Sequence, residues 1–181
     1  MSSWNRLSGK VVYQNQWMSV HEDQVISPDG RASVYGWVGT PAAVFVVAVN
    51  EDSEVCLVQQ ERYITGRPSW EVPGGSTEGE DELAAAKKEL SEEAGFHADH
   101  WDRLPGDIYP YNKFAPCRNI IYIATGLHKA RTSVTATKNE ITMVKWVGWP
   151  ALKKMISTAD ITDGQTITAL AVAGLALGRF K

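Results

Sequence analysis

The 181-residue chain contains few cysteines and lacks any paired motif that would use them. Its two cysteines, Cys56 and Cys117, are far apart, which excludes a redox or zinc site of the CxxC type. No apolar run is long enough to cross a bilayer, and no stretch has the pattern of a signal peptide. We therefore expect no disulfide framework, no membrane partner and a reduced, cytoplasmic location.

Positive charge is also scarce. Lysine and arginine number 18 against 21 aspartates and glutamates, which gives a formal net charge of −3. No basic cluster is present, so we do not expect a nucleic-acid polymer as a partner. A hydrophobic share of 44% is enough for one domain with a complete core.

Glutamate is abundant in the middle of the chain. Alanines and leucines favour a helix over residues 81–94, and Gly95 would end it. Glu89, Glu92 and Glu93 stand at i, i+3 and i+4 and therefore share one face of that helix. Carboxylates at this spacing repel one another unless a divalent cation lies between them, and Mg²⁺ prefers such oxygen ligands. The spacing favours a Mg²⁺ site, with Mn²⁺ as the other candidate ion, although a solvated acidic face has the same pattern.

A longer motif contains these glutamates. From Gly74 the chain reads glycine, five residues, Glu80, seven residues and then KELSEEAGF. This stretch resembles the Nudix box, whose pattern is G, five residues, E, seven residues and REUxEExGU, with U a bulky aliphatic residue. Lys88 stands where the family has arginine, and the loop is one residue short when measured from Gly75. The other fixed positions match, so the chain resembles the Nudix hydrolase superfamily.

The resemblance implies a set of site residues. The metal ligands would lie on the helix and at the glycine turn: Glu89, Glu92, Glu93 and Gly74. Glu80 and Lys88 would keep the box ordered. The family often takes a further carboxylate from the loop before a late strand, and Glu140 is the only acid between residues 128 and 146. The predicted catalytic residues are accordingly Glu92, Glu93 and Glu140.

Three features resemble the ADP-ribose pyrophosphatase branch. They are Arg62 at the end of a strand, an aromatic N-terminal hairpin and the TDGQTITAL helix. By this resemblance Arg62 would hold a substrate phosphate, with a surface ion pair as the alternative. Trp37 of the hairpin would contact the nucleotide, and the hairpin would form a homodimer. The implied reaction is metal-dependent hydrolysis of the pyrophosphate bond in ADP-ribose or a similar nucleotide sugar, a small-molecule substrate.

Two other functions stay open. Tyr111 lies sixteen residues after Gly95, where dinucleoside polyphosphate hydrolases of the superfamily tend to have tyrosine. Lys88 offers a point charge where arginine's planar fork would bridge two carboxylates, so the chain could also be a catalytically silent nucleotide-binding protein. Serine, proline and glycine, common in this loop of ADP-ribose pyrophosphatases, are absent around Tyr111.

The expected fold is a Nudix α/β/α sandwich with a mixed sheet, preceded by a small N-terminal antiparallel β-sheet. We divide the chain into an N-terminal β-hairpin region, residues 1–40, and a Nudix hydrolase domain, residues 41–181. Residues 1–10 are polar and are expected to be loose. A final amphipathic helix is predicted over residues 162–180.

Overall fold

The structure, a computed structural model, describes residues 3–130 and 141–180. In those ranges the strands are β1 (Asn5–Gln14), β2 (Ser19–Ile26), β3 (Ala32–Gly39), β4 (Ala43–Ala48), β5 (Glu54–Arg62), β6 (Arg67–Glu71), β7 (Gly74–Ser76), β8 (Phe96–Arg103), β9 (Asn119–Lys129) and β10 (Ile141–Gly148). The helices are α1 (Glu82–Glu89), α2 (Trp149–Ser157) and α3 (Gly164–Ala176), and a π turn (Leu90–Ala94) continues α1.

The N-terminal region is a three-stranded antiparallel sheet in the order β1-β2-β3. The turn between β2 and β3 is closed by the N–H of Gly30, which donates to the carbonyl of Ser27 at 2.8 Å. The expectation that residues 1–10 are loose is wrong from Asn5 onwards, because β1 begins there and pairs along its length with β2. Backbone hydrogen bonds order this polar stretch, and polarity alone did not reveal them.

Two further sheets form the centre of the protein, in the orders β7-β4-β9-β8 and β10-β5-β6. The strands β4 and β9 run parallel, and their other neighbours are antiparallel. The region is therefore mixed, as predicted. The strand β8 was not predicted, because its sequence after the helix stop is rich in histidine and aspartate.

Side chains of β4 alternate between two hydrophobic clusters. Val44 and Val46 pack with Leu90 on the α1 side, whereas Phe45 and Val47 face α2 and α3. Because successive strand residues point to opposite faces, a fully apolar strand is covered on both sides. Helices on both faces make the predicted α/β/α sandwich, and this part of the prediction is confirmed.

The helix ends depart from the predicted bounds. The side chain of Asp81 caps α1 and accepts from the backbone N–H groups of Leu83 and Ala84 at 3.1 and 3.0 Å. The predicted helix over 81–94 is α-helical only to Glu89, and the predicted 162–180 helix is shorter, from Gly164 to Ala176. Among the described residues, no helix has the length and apolar character needed to span a bilayer.

A ring of ion pairs attaches α1 to the sheet. Glu82 contacts Arg103 at 3.1 Å and Arg118 at 3.4 Å, and Asp107 contacts the same two arginines at 2.7 and 2.9 Å. The guanidinium of Arg118 holds the pKa of the Asp107 carboxyl below its usual value, with Arg103 adding to the effect. The ring joins the first turn of α1 to the end of β8 and the start of β9.

Candidate active site

The three box glutamates line one cavity of about 1060 Å³. Glu89 is the last residue of α1, and Glu92 and Glu93 lie on the π turn that Gly95 ends in the left-handed conformation, with φ of 75°. A π turn contains more residues per turn than an α-helix and is frequent at functional sites. Glu89 and Glu93 are buried and Glu92 is half-buried, so the arrangement is not a solvated acidic face.

The carboxylate of Glu93 is fixed by neutral donors on two strands. Its Oε1 accepts from Nε2 of Gln60 on β5 at 3.2 Å, and its Oε2 accepts from the N–H of Gly74 on β7 at 2.9 Å. Glu93 is only 2% exposed. A buried carboxylate is costly without such partners, and these contacts fix its orientation.

A side chain at either glycine of the turn before α1 would force a neighbouring group to move. A Cβ on Gly75 would lie 2.3 Å from Oε1 of Glu89, and a Cβ on Gly74 would lie 2.6 Å from the carbonyl oxygen of Val44. The two glycines begin β7, which pairs with β4, and the backbone of Gly75 lies against the carboxylate of Glu89. Any other residue at position 75 would occupy the space that the carboxylate fills.

Arg62 pairs with a buried glutamate that the sequence analysis missed. Its Nε donates to Oε1 of Glu71 at 2.8 Å, and its Nη2 donates to Oε2 of the same residue. Hydrogen bonding to Glu71 raises the pKa of Arg62, opposed by partial burial. Both side chains line the cavity. The structure thus contains the ion pair given as an alternative for Arg62, although one of its members is buried.

Lys88 lies at the mouth of the cavity. Its Nζ is 3.9 Å from a carboxylate oxygen of Glu80 and 3.9 Å from one of Glu78. All three side chains are substantially exposed, so each pair is weak. Glu78 has φ of 50°, and Gly79 after it has φ of 84°, so two left-handed residues turn this loop.

Aromatic side chains line another part of the same cavity. Trp17, Tyr111 and Phe114 are all exposed there, and the rings of Tyr111 and Phe114 are 5.2 Å apart. Trp37 lines a neighbouring cleft of about 380 Å³ instead. Its ring stacks on His21 at 3.8 Å and its Nε1 donates to Asp23 at 3.0 Å, so packing holds it in place. Glu140 lies outside the described residues.

Sequence reasoning missed Gln60 and Glu71, although one signal was available. Gln60 and Arg62 follow Val58 at intervals of two on β5, so all three share a face of the strand. A polar residue on the buried face of a strand needs a partner. That partner was not deducible, because Glu93 and Glu71 come from elements brought together only by folding.

The donors present fit a hard cation that binds few protein ligands. Five carboxylates line the cavity, and Gly75 leaves room for that of Glu89; the five belong to Glu71, Glu78, Glu89, Glu92 and Glu93. Within residues 3–130 and 141–180, no three His, Cys, Asp or Glu side chains form a ready-made metal cage. Mg²⁺ does not require one, since it retains several waters and takes further oxygens from substrate phosphates.

Comparison with known proteins matches two family models and a solved structure. A sequence model of the NUDIX domain matches residues 39–169, and a model of the nucleoside diphosphate sugar hydrolase N-terminal domain matches residues 4–38. A solved structure titled an ADP compounds hydrolase superposes with a TM-score of 0.84 at 16% identity, covering 99% of this chain and 96% of that one. At this identity the superposition supports the fold alone.

Curated relatives extend over most of the chain. An ADP-ribose pyrophosphatase of Mycobacterium tuberculosis is 27% identical, covering 93% of this chain and 80% of its own. An ADP-ribose pyrophosphatase of Bacillus subtilis is also 27% identical, covering 90% and 85%. A methanol dehydrogenase activator of Bacillus methanolicus is 26% identical, covering 88% and 86%.

Proposed function

Because the chain belongs to the NUDIX domain family and is a Nudix hydrolase, we propose that it hydrolyses the pyrophosphate bond of ADP-ribose or a similar nucleotide sugar. The observation that carries this proposal is one cavity with buried carboxylates in one part and exposed aromatic rings in another. A nucleoside diphosphate sugar needs both, since its phosphates require cations and its base can stack on a ring. The names of the two pyrophosphatase relatives support the same substrate class.

The metal in this proposal is Mg²⁺, with Mn²⁺ able to substitute. Glu89, Glu92 and Glu93 would hold it, with the backbone of Gly74 as a further ligand. When bound, it supplies neutralisation of the phosphate charges and a lower pKa for the attacking water. Gln60 and the N–H of Gly74 orient Glu93, and Gly75 leaves space for Glu89.

The remaining roles concern the proton and the substrate. We assign the role of general base to Glu140, on the family resemblance described above. Glu92 and Glu93 are the other two proposed catalytic residues. Arg62 lines the cavity and would contact a phosphate from its position on Glu71. Trp37 is retained as a nucleotide contact by the same resemblance, although Trp17 and Phe114 line the large cavity itself.

A substrate panel tests this assignment. It should contain ADP-ribose, GDP-mannose, diadenosine polyphosphates, NADH and oxidised nucleoside triphosphates, each with Mg²⁺, with Mn²⁺ and with EDTA. We expect ADP-ribose to yield AMP and ribose 5-phosphate, and EDTA to abolish the reaction. Tight binding without turnover of any member would contradict the proposal and indicate a silent nucleotide-binding protein.

A second candidate is a dinucleoside polyphosphate hydrolase. Tyr111 lines the large cavity and is 43% exposed, so its ring could accept a base. Faster cleavage of diadenosine polyphosphates than of ADP-ribose would favour this function. Tyr111→Ala should then slow diadenosine cleavage more than ADP-ribose cleavage.

We also propose a homodimer through residues 11–38, in a cytoplasmic setting. Val11, Val12, Tyr13 and Val34 are each at least half exposed, which is unusual for so many apolar side chains on one small sheet. Light scattering at tens of micromolar should show a dimer that deletion of the N-terminal sheet removes. A monomer at that concentration would contradict the proposal, and a dimer that survives the deletion would place the interface elsewhere.

A further inference from the structure

We propose that Gln60 is a positioning residue that orients Glu93 for cation binding, an inference that rests on the proposed function and deepens it. Gln60 is 3% exposed on β5, and its Nε2 donates to Oε1 of Glu93 at 3.2 Å. Its neighbours Leu57 and Val58 on the same strand are apolar and fully buried. A buried amide at the end of such a run serves the carboxylate that it contacts rather than the hydrophobic core.

The neutrality of this donor is the reason for its role. Gln60 donates to one oxygen of Glu93 and the N–H of Gly74 donates to the other, at 2.9 Å. Neither donor carries a charge, so these two hydrogen bonds fix the plane of the carboxylate without themselves neutralising it. A lysine or arginine at position 60 would form an ion pair with Glu93 and oppose metal binding.

The basic residue on the same face of β5 directs two hydrogen bonds to another carboxylate, Glu71, although the charge of Glu93 also acts on it. Arg62 follows Gln60 by two residues, so both side chains lie on one side of β5. The guanidinium binds Glu71 through Nε and Nη2 in a bidentate pair, which has a defined geometry. The strand thus presents a neutral donor to Glu93 and a positive one to Glu71.

The test measures Mn²⁺ binding without turnover. Mn²⁺ is titrated into the metal-free full chain, and free Mn²⁺ is followed by electron paramagnetic resonance. In Gln60→Leu we expect the Kd for Mn²⁺ to rise by about 10–100-fold, as for other residues that orient metal ligands. The KM for the nucleotide at saturating Mn²⁺ should be unchanged, because Gln60 acts through Glu93.

The chain offers a matched control on the adjacent position. Gln59 has the same side chain, points to the opposite face of β5 and accepts a hydrogen bond from Thr142 at 3.0 Å. Gln59→Leu should bind Mn²⁺ as the parent does. Thermal unfolding in EDTA shows whether each variant is folded, and Gln60→Met, which is unbranched and of similar length, replaces Gln60→Leu if that variant does not fold.

The outcomes separate this inference from the proposed function. Equal Mn²⁺ affinity in the parent and in the folded Gln60 variant would overturn the positioning role and leave the metal site standing. A parent chain that binds no Mn²⁺ would overturn the metal site and the positioning role together. A similar loss of Mn²⁺ affinity in Gln59→Leu would also overturn the positioning role of Gln60, since any substitution on β5 would then weaken binding.

Discussion

The N-terminal sheet and the Nudix core are stabilised in different ways. Every residue of β1 is exposed, whereas five of the six residues of β4 are buried. The small sheet relies on its hydrogen-bond ladder and on ion pairs such as Arg6 with Asp23 at 2.9 Å. The core relies on apolar side chains packed on both faces of its strands. Burial therefore fixes the candidate active site, whereas the N-terminal sheet leaves several apolar side chains exposed.

Replacing one leucine in each region should give the largest difference, which is a difference in the free energy of unfolding. Leu57 is fully buried on β5, and Leu7 is 59% exposed on β1. Leu57→Ala should reduce the free energy of unfolding by about 2–5 kcal/mol, because it leaves a cavity in the core. Leu7→Ala should change it by less than about 0.5 kcal/mol, as an exposed substitution does. Urea denaturation measures both, and equal losses would mean that β1 is covered in solution.

Replacing one glutamate in each region compares the core and the N-terminal sheet by their effect on turnover. Glu93→Gln should lower the turnover of ADP-ribose by at least about a hundredfold, roughly 2.7 kcal/mol of transition-state stabilisation, because a metal-binding charge is lost. Glu22→Gln on β2 removes a surface pair with Lys10 and should leave turnover unchanged. Both proteins should be folded by circular dichroism. Activity of Glu93→Gln within a factor of two of the parent would refute the metal assignment.

Two glycines probe local space in the two regions. A Cβ at Gly75 would meet the carboxylate of Glu89 at 2.3 Å, whereas one at Gly36 on β3 would meet only a carbonyl of His21 at 3.9 Å. Gly75→Ala should lower turnover by about tenfold, or roughly 1.4 kcal/mol, because the carboxylate must move. Gly36→Ala should leave turnover as it is. If Gly75→Ala is as active as the parent, Glu89 does not need its present position.

Lys88 should give the smallest effect. Lys88→Ala is expected to slow turnover by about two- to fivefold, since an exposed pair at 3.9 Å contributes little. Lys88→Arg should stay within about twofold or raise the rate slightly, because arginine can bridge two carboxylates. Steady-state rates at fixed Mg²⁺ measure both. No change in Lys88→Ala would show that this lysine does not order the box.

The sequence predicted the parts of the fold that depend on local pattern. The apolar runs of β4, β5 and β9 are visible in the sequence, as is the Ser-Pro-Asp-Gly turn of the β2–β3 hairpin at residues 27–30. Sequence analysis failed for residues 5–10 of β1 and for β8, because their largely polar side chains hide a strand that is formed by backbone pairing. It also failed to show that the box helix changes to a π turn after Glu89, since i, i+3 and i+4 spacing assumes a regular α-helix.

The sequence by itself determined the family and indicated the acidic residues of the candidate site, since the box is a contiguous motif whose spacing reflects one helix and one turn. Only the tertiary structure decided which residues support them. Gln60 reaches Glu93 across 33 positions, and Arg62 meets Glu71 across a hairpin. Such contacts form when strands and helices pack, and packing depends on the whole chain rather than on any local pattern.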